Sequence, residues 1–248
     1  MVLKGSAFLA LWNDVDPARD AEYNCWHTFE HVPERVGIKG FLAGRRYIAR
    51  ERADDRYFTL YELGQLGALS GPDYADVVDQ PTEWSRSMRA SFRNFQRSPC
   101  TTLLTLGTGV AGGVATFRIG VRDAQDAPDL SVVRSALDAC LETSGIASIH
   151  LGLAHADARF QLKNAPDADP ALAGIAYVLI AEGIDRGELD ATAPRIVETI
   201  DRCFNPTQAV IWKSFDLAFA IERSDLRHPT TQRQPARPEL RRRWDEER

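Results

Sequence analysis

The stretch GTGVAGG, residues 107–113, holds four glycines in seven positions, and the chain reads alike on either side of it. Glycine at that density sustains neither a helix nor a strand interior. No phosphate-loop lysine follows, and no strand–loop–helix context surrounds it, so the stretch reads as a connection between two similar units. Before it, Ala7–Asn13 alternates like a half-buried strand and Asp20–Glu34 has helical spacing. Leu42–Arg50 and Tyr57–Leu63 read as strands around the polar turn ERADDR. Pro81–Phe95 reads as a helix with Trp84, Met88, Phe92 and Phe95 on one stripe, and Thr101–Leu106 as a closing strand. After it the order returns. Val114–Val121 is a strand, and Leu130–Glu142 is a helix with Val133, Leu137 and Leu141 on one face. Ala147–Ala154 and Ile175–Ile184 are strands, Leu189–Phe204 is a helix and Gln208–Ile221 a long strand.

A βαββαβ order that occurs twice predicts an α+β protein of two tandem ferredoxin-like domains, 1–110 and 111–223. Each antiparallel sheet carries helices on one face and must cover the other, so the two sheets are expected to pack together into one barrel-like body. Residues 224–248 are proline- and charge-rich. Their composition predicts either disorder or docking on the body through Leu240 and Trp244.

The chain has 248 residues, 44% of them hydrophobic, and a net charge of −5. That balance argues against a phosphate-backbone binder, so no nucleic-acid partner is expected. No window approaches a membrane span, and the N-terminal alternation reads as a strand rather than a leader. Cys25, Cys100, Cys140 and Cys203 stand singly, as reduced, packed thiols do. A soluble cytoplasmic protein is the expectation.

Chemistry concentrates in WHTFEHVPERVGIKGFLAGRRY, residues 26–47. His27, Glu30 and His31 form H-x-x-E-H, a zinc-peptidase spacing. No third ligand follows from spacing, however, and Pro33 predicts that the helix breaks just after His31. A histidine at a helix C-terminus is favoured as the imidazolium, which makes His31 a candidate acid–base group; it could equally cap the helix. In the next strand Arg45 and Tyr47 share one face, Arg46 and Ile48 the other. Tyr57, Thr59 and Tyr61 share a face that the alternation assigns to the barrel interior, with Phe58 and Leu60 toward the helices. His150 and His155 read as packing or surface residues.

His31-Val32-Pro33 at the first helix end, the aromatic Trp26 before it, and the later stretches LYELGQLGALSGPDY (60–74) and QPTEW (80–84) carry a resemblance. The chain resembles the EthD-like branch of the dimeric α+β barrel superfamily, a tandem-repeat group largely of unknown activity, over most of residues 5–110. The simplest pattern of that branch places the aromatic four residues before the histidine; here Trp26 is five before. The second-repeat helix LSVVRSALDACLE lacks a histidine. The resemblance implies a small-molecule site in the first repeat and a homodimer as a further level of assembly. It implies cofactor-free monooxygenases, isomerases or lyases, with non-catalytic binding or structural proteins and haem binders as alternatives. The expected site is His31 as acid or base, with Arg45, Tyr47, Tyr61 and Trp26 around a small, partly aromatic ligand, and no metal or organic cofactor.

Overall fold

The computed structural model describes residues 3–51, 54–121, 127–142, 145–160, 174–226 and 233–245. Its eight strands are β1 Ala7–Val15, β2 Phe41–Ile48, β3 Tyr57–Leu63, β4 Phe92–Gly107, β5 Gly113–Gly120, β6 Ile146–Ala154, β7 Ile175–Gly183 and β8 Ile211–Glu222. They close into one barrel in the order β1-β3-β2-β8-β5-β7-β6-β4. Every neighbouring pair is antiparallel. Each half thus contributes four strands in the order fourth, first, third, second. The halves meet through their edges, β2 on β8 and β4 on β6, so the inner faces are covered by closure rather than by stacking one sheet on another.

Two long strands make those seams. The early part of β4 pairs with β1, from Val15↔Phe92 to Ala7↔Thr101, and its later part pairs with β6, from Cys100↔Ala154 to Gly107↔Ser148. β8 likewise pairs first with β5 and then with β2. The length of β4 corrects the expectation of a helix over Pro81–Phe95. The helix is only α4, Glu83–Arg89, and Phe92 and Phe95 lie on the strand. The stripe was coincidental, because β1 needs a partner along its whole length.

Phe8, Ala10, Trp12, Tyr47, Phe58, Leu60, Val178, Ile180 and Phe215 fill the barrel. This reverses the faces expected for β3: Phe58 and Leu60 go inward, Tyr57 and Tyr61 outward toward the helices. A closed interior excludes water and takes the apolar set, whereas the outer face can give a hydroxyl a polar neighbour. The second half is covered by α5 (Leu130–Leu141) and α6 (Arg186–Phe204), with Phe117, Leu137, Ile149, Leu179 and Ile196 between them and the sheet.

The first half carries α1 (Asp20–Trp26), a π-helical turn (His27–His31), α2 (Val32–Val36), α3 (Pro72–Asp79) and α4. The helix therefore does not break after His31. Pro33 follows the π turn directly, and that wider turn takes up a residue that has no N–H to donate. α2 packs on β2 at Gly44, where an added Cβ would come within 2.8 Å of Val32 Cγ1 and 2.9 Å of Val36 Cγ2. Both valines are fully buried. Gly44→Ala is expected to cost about 1–3 kcal/mol in denaturant unfolding, through overpacking.

The GTGVAGG link joins β4 to β5. Gly107 has φ +75°, and a Cβ there would meet the Ala147 carbonyl oxygen at 2.2 Å. The tail docks over 233–245, while 227–232 and 246–248 lie outside the described residues. Its helix α7 (Pro238–Asp245) packs Leu240 and Trp244 on the cluster of Tyr23, Trp26, Trp84 and Met88. Arg233 pairs with Glu34 at 2.6 Å, and the Arg237 backbone N–H donates to Glu30 Oε2 at 2.7 Å.

Candidate functional site

Period-two alternation turns Leu9, Leu11 and Asn13 of β1, Thr59 and Tyr61 of β3, and Phe95 and Arg97 of β4 to the outer face. Above them lie His27 and His31 from the π turn, Arg35 from α2, Tyr74 from α3 and Arg89 from α4. Together these residues enclose a cavity of about 470 Å³. Its size suits a small organic molecule. Phe41, Tyr61, Tyr74, Phe92 and Phe95 give it aromatic walls.

The π turn is what brings the two histidines into one stack. Their ring centroids lie 5.2 Å apart at 25°, and Trp26 lies 4.4 Å from His31 on the core side. The buried Nδ1 atoms of both have no hydrogen-bond partner among the described residues. Burial holds His31 well below the usual histidine pKa, helped by Arg35, by His27 and by Arg89 and Arg46. Burial does the same for His27, with Arg46 and Arg35 adding to it. Both rings are neutral at pH 7. This corrects the imidazolium expected for His31, since a helix that runs on to Val36 puts no C-terminal carbonyls beside it. Tyr61 also lines the cavity; its hydroxyl is buried without a partner, and burial pushes its pKa far up, so it is a neutral donor.

A testable pH dependence follows. Between the depressed folded-state pKa and the unfolded value near 6.5, the unfolded chain holds a proton that the folded chain lacks. Stability therefore rises with pH through that window and levels off above it. Each histidine should contribute about 1.4 kcal/mol of lost stability per pH unit below roughly 6.5. Chemical denaturation from pH 7 downward measures the slope, and His27→Gln should remove one histidine's share.

Of the expected site residues, the structure gathers His31 and Tyr61 at the cavity, with Trp26 behind His31 as packing and donating to Ser85 Oγ at 3.2 Å. Arg45 and Tyr47 do not join them. They do share a face, but it is the barrel interior, where Arg45 pairs with Glu62 and with Glu182 at 2.6 Å. Their strand turns that face inward because Arg46 is held outside by Thr28 and Asn24 and lies over the Tyr23 ring. Glu30 turns away from the histidines, accepting from Thr82 at 2.6 Å and from the tail. The H-x-x-E-H spacing thus gathers no zinc-type constellation here. Among the described residues no group of three His, Cys, Asp or Glu side chains is placed to hold a metal. His150 is buried in the barrel, and His155 bonds Thr101.

Sequence reasoning missed Tyr74, Arg89 and Arg97. α3 carried a signal, with Gly71 before a proline in its first turn and an apolar pair at Tyr74 and Val77. Arg97 was hidden by assigning its strand's start to a helix.

No family model matches the sequence, and no curated protein does. Solved structures do. An anthrone oxidase-like protein aligns over 96% of this chain and 99% of its own, at 8% identity and a TM-score of 0.63. The fold is that of the dimeric α+β barrel. Others with that fold include a candidate monooxygenase from Fusobacterium nucleatum (9% identity, 88% and 95% covered, TM-score 0.57). Another, from Lactobacillus acidophilus, aligns at 11% identity over 88% and 97% of the chains, with a TM-score of 0.53. No helix among the described residues of this barrel is long and apolar enough to cross a membrane.

Proposed function

We propose that this α+β barrel is an enzyme that removes a proton from an activated C–H bond of a small, partly aromatic molecule, without an organic cofactor. One observation carries the reading: a neutral stack of buried His27 and half-buried His31, with both Nδ1 atoms unpartnered among the described residues, lines an aromatic cavity of about 470 Å³. His31 accepts the proton, because its neutral imidazole has a lone pair free at neutral pH and faces the cavity. The charge that develops on the adjacent carbonyl oxygen is met by the neutral Tyr61 hydroxyl and by the guanidinium of Arg35 or Arg89. The chain is a fused pair, with 1–110 carrying the site, 111–223 completing the barrel and the described part of the tail, 233–245, bracing the site's helices.

The anthrone oxidase-like neighbour makes anthrone a first probe, since its methylene protons are acidified by a ketone and two rings. The protein in D₂O should exchange those protons faster than buffer at equal pH, read by mass spectrometry. Exchange at the buffer rate with anthrone bound would favour a binding protein instead. The donor set also fits haem in kind: the His31 imidazole and the guanidiniums of Arg35 and Arg89 would hold it. Bound haem would supply redox chemistry, and a Soret band in purified protein would favour that second reading.

A further inference from the structure

The cavity's charges are unevenly met. Four arginines line it, Arg35, Arg86, Arg89 and Arg97, against one carboxylate, the exposed Asp79. Arg35 is paired with Glu34 at 3.1 Å. Arg86 and Arg89 each donate to a backbone carbonyl, of Pro81 and Val78 respectively. Among the described residues no carboxylate lies within ion-pair distance of Arg86, Arg89 or Arg97.

Arg97 is the case that geometry singles out. It faces the cavity from the middle of β4, opposite Leu11 of β1. Nη2 donates to the Tyr74 hydroxyl at 3.1 Å, and the guanidinium lies 5.9 Å from that ring's centroid, which fixes its plane. Nε and Nη1 are buried and have no partner. Arg97 is half-buried, but N–H donors shielded from water and left unused are costly unless an acceptor completes them, and the planar fork matches a planar oxyanion. The walls beside it, Phe95, Tyr74 and Leu11, are apolar or aromatic.

We infer that Arg97, oriented by Tyr74, is the anion-binding end of the cavity and that its ligand is an aromatic carboxylate. The inference rests on the catalytic reading for the cavity's use, not for the binding itself. It divides the site into a guanidinium that holds the ligand's charged end and a neutral histidine stack that meets its reactive carbon. A carboxylate suits that division, because it needs no proton from the histidines in order to bind.

Calorimetric titration of the full-length protein with 2-naphthoate, and with 2-naphthamide as its neutral isostere, tests this. The carboxylate should bind at least about tenfold more tightly than the amide. Arg97→Gln should weaken naphthoate about 10- to 100-fold and leave the amide unchanged. Arg97→Lys, which keeps charge but loses the fork, should fall between, and it serves as the measurement if Arg97→Gln does not fold. Naphthoate affinity should be flat from pH 6 to 8, and His31→Gln should hold it within threefold.

Equal affinity for the two probes, parent-like naphthoate binding by Arg97→Gln, or no naphthoate binding by the parent protein would overturn the inference. So would naphthoate binding that strengthens as pH falls and is lost with His31, which would seat the anion on the histidines. The catalytic reading fails separately: anthrone exchange that His31→Gln leaves untouched would remove the base while Arg97-dependent naphthoate binding stands.

Discussion

Arg45→Ala should lower the unfolding free energy by about 3–5 kcal/mol at pH 7, measured by denaturant titration. Arg45 sits inside the barrel between two carboxylates from opposite halves. It pairs with Glu62 of β3 and donates to Glu182 of β7 at 2.6 Å; the two glutamates are 1% and 0% exposed. Removing the cation leaves two buried negative charges whose remaining neighbours are the backbone N–H of Lys4 at 2.6 Å for Glu62 and, for Glu182, the backbone N–H of Ala111 at 3.2 Å and the buried His150 Nε2 at 3.7 Å. The pair as such is not the source of the effect, because its desolvation offsets much of its attraction. Replacing all three residues together with Met, Leu and Leu should therefore cost far less than the single change. A loss below about 1 kcal/mol for Arg45→Ala would mean that water reaches the glutamates and that the plug is not dry.

His31→Gln should reduce catalysed anthrone exchange by about 10²–10⁴-fold, the usual range for loss of a positioned base. Stability at pH 7 should change little, because the ring makes no hydrogen bond through its buried Nδ1 and glutamine is of similar reach. His27→Gln should have a smaller effect on exchange, since His27 reaches the reaction chiefly by stacking on His31 and Tyr23, at 5.2 and 4.9 Å. A threefold or smaller loss in His31→Gln would pass the base role to another group. The pH profile separates these outcomes. With a depressed pKa the base is already free at neutral pH, so exchange should be flat above about pH 6.5 and fall only in acid.

Much of this architecture was legible in the sequence because period-two strands announce themselves. Seven of the eight strands were placed within a few residues, and the glycine-rich link stands between β4 and β5. Only β4 was cut short, since Trp84, Met88, Phe92 and Phe95 satisfy a helical period as well as they fit a helix followed by a strand. The same error hid Arg97. Face assignment failed at β3 for a different reason. Alternation shows which residues share a face, but a barrel has apolar demands on both sides, and tyrosine suits either. His31 was found through its neighbours in sequence, yet its charge state was not. That state depends on burial first and then on Arg35, His27, Arg89 and Arg46, and local spacing does not encode the burial.

Closure of the barrel also decides how the molecule can meet a second copy of itself. Each of the eight strands has a hydrogen-bonded neighbour on both sides, so among the described residues no open strand edge is left to recruit another chain. Growth by strand addition would first require opening β2 from β8 or β4 from β6. The barrel should accordingly resist templated aggregation until it unfolds, and a homodimer would have to form by a route other than strand addition.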